Sequence, residues 1–495
     1  MTGPREMTGP REPLRRIVVA GDGQVGLLAA IAMRRAMPGC DIVIMGAPSG
    51  PADLADRAAT SLPFTNRLHD RLGIAEEAVI LQAGGSHRLV TRLFGWNKEA
   101  SHGAMPYGGG ADRAAMPGFA QAWGDQARPG ESAPSAGSLA EILAQNGRFA
   151  VPPPDRVTPI SNIEYGLRWN AAAYRELLIG QARQLGVSYV SSAIASLDID
   201  DGGELRAVIA ANGQRIDADL YLDCSGREAR LLSGLPGYAV EDWSGILPKI
   251  ALYRAVPGQP MAALEDRITL LDEGWLSEFA GRDGLQLEMG APLDLPPERI
   301  RAAMGAEIES RVELQPGCVR HAWIGNVIAI GDAAARLHPL LGLPLDLAHR
   351  QIDLLLEMLP GRVAEPVERS EYNRRSALIA QGARDSLGAF YAAPRARQPF
   401  GATGLSERLD LTIDQFCRRG RIPLWEEAPL LRQELAALLR ALGFGEGSMQ
   451  IAQPVNSDAA AREFAEQARA AVAFAPPYAQ WLASIVQRAS AAGRG

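Results

Sequence analysis

Residues 15–46, RRIVVAGDGQVGLLAAIAMRRAMPGCDIVIMG, decide how the rest of the chain is read. Ile17-Val18-Val19-Ala20 is a short, β-branched apolar run of the kind that forms a buried strand. Gly21, Gly23 and Gly26 follow at once in the spacing G-x-G-x-x-G, and LLAAIAMRRAM predicts a helix that stops at Pro38-Gly39. DIVIMG (41–46) is a second strand. Strand, glycine turn, helix and strand together open a dinucleotide-binding βαβ unit. The first glycine allows the tight turn, the second lets backbone approach a pyrophosphate, and the third lets helix pack closely on strand. The helix N-terminus then turns its free N–H groups and positive dipole end toward phosphate. One usual partner is missing. The acid that holds a ribose hydroxyl about 20 residues past the last glycine is replaced by Gly46, and the nearest acid, Asp53, comes late.

A second segment bears on the choice of dinucleotide. NVIAIGDAA (326–334) is a buried strand that runs into Gly331 and Asp332, followed by small residues able to start a helix. A carboxylate at a strand tip can accept hydrogen bonds from the polyol chain of a flavin; the plainer alternative for Asp332 is a helix N-cap. Paired with a glycine turn some 300 residues upstream, it argues for FAD over NAD, whose fingerprint is complete within one early unit. DLYLDCSGRE (219–228), another strand ending in a small-residue turn, fits as the middle segment. An NAD-dependent dehydrogenase would leave the 326–334 segment unexplained. The expected fold class is therefore α/β: a Rossmann-type FAD module with an inserted β-rich substrate region and a helical C-terminal region.

The remainder is consistent with a large globular chain. Of 495 residues, 47% are hydrophobic and 22% charged, values that allow a sizeable core and exclude a fibrous or disordered protein. Fifty Lys+Arg against 57 Asp+Glu give a net charge of −7, and the basic residues are scattered, which argues against a nucleic-acid partner. Cys40, Cys224, Cys318 and Cys417 lie far apart without ligand spacing, so neither a zinc site nor a disulfide framework is expected. His69, His87, His102, His321 and His349 show no metal-ligand spacing either. No apolar run approaches the roughly 18 residues of a membrane span, and no signal peptide is recognised, so the cytoplasm is the expected compartment. MTGPRE written twice (1–12) reads as a flexible extension over residues 1–14, and ARPGESAPSAGS (127–138) as a surface loop. Helix is expected from Asn170 to Leu185, a hairpin turn at Asn212-Gly213, and mostly helix after about residue 345. These readings divide the chain into the extension, an α/β module with interleaved substrate region (15–360), and a helical region (361–495).

Over about residues 15–360 the sequence resembles the flavin-dependent tryptophan halogenases. The stretches that carry the resemblance are GDGQVG, ATSLPF, LHDRLGIAEEAVILQAGGSHRLVTRLFGW (68–96), LAQNGRFAVPPPDRVTPISNIEYGLRWNAAAYRELL (143–178), DLYLDCSG and WIGNVIAIGDAAARLHPLLG (323–342). The resemblance implies a single-component monooxygenase-like fold, FAD reduced by a separate flavin reductase, and a small aromatic or peptide substrate. It also implies hypohalous acid that travels to a lysine beside the substrate. Gly21, Gly23, Gly26, Gly331, Asp332 and Gly342 are the expected cofactor-binding positions.

The same alignment shows four departures. The family's lysine falls on Arg88, and an arginine stays charged where an amine chemistry is needed. The family's glutamate falls on Leu341, and the Ser-Thr pair after it becomes Gly342-Leu343. Of the two backbone N–H groups that cradle a halide there, the second would come from Pro344, which has none. The tryptophan-rich WxWxIP signature reduces to Trp275, Ser277 and Ala280. Arg88 and His338 are the catalytic candidates. Arg88 is expected to be exposed and solvated, with bidentate binding of a carboxylate as the alternative. His338 reads either as a proton donor near the flavin or as a hydrogen-bonded structural residue. Arg168 and Trp169 could stack on each other, though packing is the expected role. Two functions stay open: an FAD-dependent oxidoreductase in which ordinary halogenation is doubtful, and a non-catalytic relative that binds a peptide or protein partner. A homodimer is allowed.

Overall fold

The computed structural model describes residues 12–47, 49–108, 138–447 and 457–492. Most of the N-terminal repeat and the Pro/Gly/Ser-rich stretch 127–137 lie outside the described residues. The opening unit forms as read: strand β1 (Arg16–Ala20), helix α1 (Gln24–Ala36) and strand β2 (Asp41–Met45). Every residue of α1 from Gln24 to Met33 is buried, because the helix lies beneath later elements as well as on the sheet. Parallel strands buried on both faces read as continuous apolar runs, which is how β1 and β2 read.

β1 lies inside a six-stranded sheet, between β2 and the strand Leu220–Asp223, which in turn pairs with Val327–Ala329. All three of these pairings are parallel, with Ala20 opposite both Met45 and Asp223, and Asp223 opposite Ala329. Three segments distant in sequence therefore end level at one edge of the sheet: the glycine turn, the turn after Asp223, and the turn at Gly331. In an open parallel sheet this edge, where strand order reverses, is where ligands bind.

The inserted region is a seven-stranded sheet, in the order Ile308–Leu314, Ile250–Ala255, Gln286–Ala291, Gly274–Phe279, Glu265–Leu271, Val90–Phe94 and His102–Pro106. It is antiparallel except where Glu265–Leu271 runs parallel to Val90–Phe94. The expected hairpin also forms, with Gly213 at φ +82° between Leu205–Ala210 and Arg215–Asp217.

Helices follow residue 343 as expected, but residue 360 marks a change of composition and not of core. The helix Pro366–Ala392 packs under the six-stranded sheet: Asn373 exchanges two hydrogen bonds with the backbone of Trp323 (2.8 and 3.0 Å), and Tyr372 meets the Trp323 ring edge-on at 5.4 Å. The helix Tyr478–Ala492 shares a second apolar cluster with Leu143 and Phe149, and its Tyr478 hydroxyl accepts from the His87 N–H at 2.7 Å. Among the described residues no helix is long and apolar enough to cross a membrane.

Asp223 is the hinge-pin of the middle turn. Its buried carboxylate accepts from the Leu231 and Leu232 N–H groups, each at 2.8 Å, and from the Ser225 N–H and hydroxyl at 3.1 and 2.6 Å. Removing it would strand three buried N–H donors, each costing about 1–3 kcal/mol. Asp223→Ala is therefore expected to lose at least ~3 kcal/mol in urea denaturation, whereas exposed Asp201→Ala should change stability by less than ~0.5 kcal/mol.

Candidate active site

The glycine turn is built by contact. Gly21 sits at φ +121°, and a Cβ there would run into the carbonyl of Cys224 on the neighbouring turn. At Gly23 the free space is claimed differently: a Cβ would meet the carboxylate of Asp56. Asp56 belongs to a short helix α2 (Leu54–Arg57). Its Oδ1 accepts from the N–H of Val25 at 2.9 Å, and its Oδ2 from the Ser49 hydroxyl at 2.7 Å. Burial pushes the Asp56 carboxyl up to about 6. Sequence reading missed this residue, since nothing in LADRAAT carries a motif.

Residues 49–57 touch the other two turns as well. Asp53 accepts from the Gly50 N–H at 2.5 Å and from the Arg227 N–H at 2.8 Å. The Asp332 carboxylate accepts from the N–H of Ala55 at 2.7 Å, and burial raises its pKa well above the ordinary carboxylate range. Asp332 therefore sits at the strand tip as expected, but it grips α2 and does not cap its own turn. Gly331, at φ +68°, donates its N–H to Gln351 at 2.8 Å. Near the end of β2, Tyr189 and not an acid fills the space beside Gly46, its hydroxyl 2.9 Å from where a Cβ would stand. That hydroxyl donates to Asp22 at 2.8 Å, and Arg175 pairs with the same carboxylate at 2.5 Å. Asp22, inside the glycine motif itself, is thus the acid nearest the place the sequence leaves vacant. A groove of about 610 Å³ opens here, with Asp22, Gly23, Asp56, Arg57, Arg175 and Arg254 in its wall.

Arg88 corrects the expectation of an exposed side chain: it is 1% exposed. Its Nε lies 2.9 Å from Asp266 Oδ2, while Arg168 Nε meets Oδ1 of the same carboxylate at 2.5 Å. Arg88 Nη2 also donates to Thr91 Oγ1 at 3.1 Å and to the Tyr107 hydroxyl. The carboxylate it binds is the protein's own. Strand Ser86–Arg88, paired with Gly166–Arg168, brings the two arginines together, and Glu265–Leu271 brings Asp266. Arg168 is engaged by Asp266, and Trp169 is buried and packs against Tyr174, ring centroids 4.4 Å apart and planes tilted by 30°, as packing required.

His338 is fully buried, its Nδ1 2.6 Å from the Tyr391 hydroxyl, which also accepts from Trp275 Nε1 at 3.1 Å. Burial pushes the ring down to about 3, so at neutral pH it carries no positive charge. Leu341 is buried at φ +62°, a left-handed conformation unusual for a branched residue. Gly342 follows at φ +76° and starts the helix Leu343–Glu357, in which Pro344 occupies the first turn. Gly342 and Pro344 line a small void of about 30 Å³ with Arg57, Thr60 and Phe279. Among the described residues no three His, Cys, Asp or Glu side chains converge on a metal site.

Comparison with known proteins is decisive for the lineage. The tryptophan halogenase family model matches residues 16–429. The chain belongs to the tryptophan halogenase family. It is 24% identical to the tryptophan 7-halogenase RebH of Lentzea aerocolonigenes over 443 residues, covering 80% of this chain and 81% of that one. In structure it resembles BrvH, a flavin-dependent halogenase from Brevundimonas sp. BAL3 (TM-score 0.83, 23% identity, 95% of this chain and 99% of that one). It equally resembles Xcc4156, a flavin-dependent halogenase from Xanthomonas campestris (TM-score 0.84, 21% identity, 96% and 99%). Both likenesses support the α/β fold with its Rossmann-type FAD module. Flavin-dependent halogenases use FAD, which a separate flavin reductase supplies in reduced form.

Tested against that cofactor, the residues give a divided answer. The level strand ends and the glycine turn have the form a dinucleotide needs, but the N-terminus of α1 is already capped by Asp56. In this arrangement the diphosphate does not fit.

Asp266 is the sole carboxylate bonded to Arg88 and Arg168 among the described residues. Breaking such a buried group from one side leaves uncompensated charge and costs about 3–5 kcal/mol. Asp266→Ala is expected to cost that much, read as a shift of the chemical-denaturation midpoint, with Asp266→Asn falling between it and the native chain.

Proposed function

We propose that this protein is an FAD-dependent oxidoreductase of the halogenase family that oxygenates a small aromatic substrate without a lysine relay. The observation that carries the reading is Arg88. A relay residue must offer a neutral amine, or an ammonium free to turn toward the substrate. Arg88 offers a guanidinium held by Asp266, Thr91 and Tyr107, a group that cannot give up its proton at any working pH. Leu341 brings no carboxylate, and Pro344 brings no N–H to a halide nest. Reduced FAD, when bound, would supply the electrons that activate dioxygen, and dioxygen the oxygen atom. Of the chain's own residues, Trp275, Tyr391 and His338 form a buried hydrogen-bonded series, and the arginine pair is held in place by Asp266.

A second reading, a non-catalytic relative that binds a peptide or protein partner, is favoured by Asp56 on the glycine turn. The two separate in one assay: the protein with FAD, a flavin reductase, NADH, oxygen and either bromide or chloride, offered tryptophan and a panel of small indoles and phenols. Oxygenated product is expected, and any halogenated product at least ~100-fold below that of a lysine-bearing relative, the usual worth of a positioned proton-transfer group. Efficient halogenation by the wild type would sink the reading. Absence of any turnover, with FAD bound, would favour the partner-binding alternative. In Arg88→Lys/Leu341→Glu, the halogenated fraction is expected to rise if these two positions alone suppress it.

A further inference from the structure

Residues 49–57 form a short segment whose polar groups reach all three turns at the sheet edge. Asp56 takes the Val25 N–H at the start of α1, Asp53 takes the Arg227 N–H of the middle turn, and Ala55 gives its N–H to Asp332. Gln24 adds two bonds from α1, to the carbonyls of Ala55 (2.6 Å) and Ala58 (3.0 Å). Asp56 stands where a phosphate would stand. A free helix N–H, a positive dipole end and the close approach allowed by Gly23 are the features that hold a dinucleotide's phosphate, and here a carboxylate of the same chain uses all three.

We infer that Asp56 is a built-in stand-in for the cofactor diphosphate, so that FAD binds only when residues 49–57 leave the glycine turn. The inference rests on the reading that this chain takes FAD. Two anions cannot share one helix N-terminus: they would compete for the same N–H groups and repel each other. The cofactor's affinity is then its intrinsic affinity reduced by the fraction of molecules in which the segment is docked. Asp56 thereby sets how readily this family member loads its cofactor.

A pH dependence accompanies this exchange. The docked Asp56 carboxyl is pushed up to about 6 by burial; released into water it would return toward the ordinary value of about 3.9. Because the docked form holds its proton more tightly, acid favours docking and opposes the cofactor. Above pH 6 the docked carboxylate is charged although buried, and this preference is gone. Affinity for FAD is therefore expected to be level above pH 7 and to fall about tenfold from pH 7 to pH 5. The other titratable or charged groups facing Asp56 are Asp22 from the glycine turn with its partner Arg175, Asp53 and Arg57 from its own segment, Cys224 from the middle turn and Asp332 from the turn at Gly331. Any pH slope that persists without the Asp56 carboxyl belongs to them.

The test is titration of the full chain with oxidised FAD, followed by flavin fluorescence from pH 5 to pH 8, for wild type, Asp56→Gly and Asp56→Asn, with folding checked by circular dichroism. Asp56→Gly is expected to bind at least tenfold more tightly at pH 7 and to lose the acid slope. Asp56→Asn, neutral but able to dock, should also lose the slope while binding less tightly than Asp56→Gly. In the wild type, FAD should increase amide hydrogen exchange at residues 53–57. Equal affinity and an equal pH slope in wild type and Asp56→Gly would overturn the inference alone, as would unchanged exchange at 53–57 in FAD-bound wild type. Failure of all three folded proteins to bind FAD up to pH 8 would overturn both this inference and the proposed oxidoreductase.

Discussion

The contact on which the site depends is that of Gly21 with the carbonyl of Cys224. It is possible only because β1 and the strand Leu220–Asp223 run parallel and in register, with Ala20 beside Asp223. A side chain at Gly21 would wedge the two strand ends apart, shift the start of α1, and misalign the third turn, whose strand is registered on Asp223 in the same row. Three segments spread over more than 300 residues are level at one edge because of that row. The short segment 49–57 can then bridge them, since each turn presents one group to it: an N–H at Val25, an N–H at Arg227 and a carboxylate at Asp332.

Several charged side chains lie in the interior, and they are answered there by internal partners. Asp266 holds Arg88 and Arg168, and Asp223 and Asp332 accept backbone N–H groups. Such groups are costly to remove from water and are kept only where partners are well placed. The consequence for chemistry differs from place to place. At Arg88 the pairing removes a side chain from reactivity, because each partner that stabilises the guanidinium also fixes it. At Asp56 the burial that makes a good cap also raises the carboxyl's pKa toward neutrality, so the cap is least secure when it is charged.

The family's form and the proposed change of chemistry rest on different parts of the molecule. The likeness to flavin-dependent halogenases extends over nearly the whole chain at TM-scores of 0.83 and 0.84, and it is carried by backbone register, apolar runs and glycine turns. Arg88, Leu341 and Pro344, on which the proposed change of chemistry rests, are single side chains at loop and strand ends. A fold tolerates such exchanges because its stability comes from the burial of strands and helices, while a reaction needs particular groups at particular points. Leu341 is a side chain of this kind. It keeps a left-handed backbone at φ +62° without a side chain that gains from it.

By itself the sequence determined the opening βαβ unit, the second strand running into Gly331 and Asp332, the hairpin at Asn212-Gly213, the late helices and the family. These are legible because strand runs, glycine spacing and helix periodicity are local properties of the chain. It also singled out Arg88, Leu341 and Pro344, on which the proposed function rests. Only the tertiary structure decided that Arg88 is buried on Asp266, that Asp332 grips Ala55 and that Tyr189 and Asp22 occupy the end of β2. It alone revealed Asp56 on the glycine turn. The partners in these contacts are separated by 178, 277, 167 and 31 residues. A charged side chain carries no local sign of the distant group it will meet. Its fate is settled when strands align and water is expelled, since a carboxylate or guanidinium must then find a partner wherever the fold has put one.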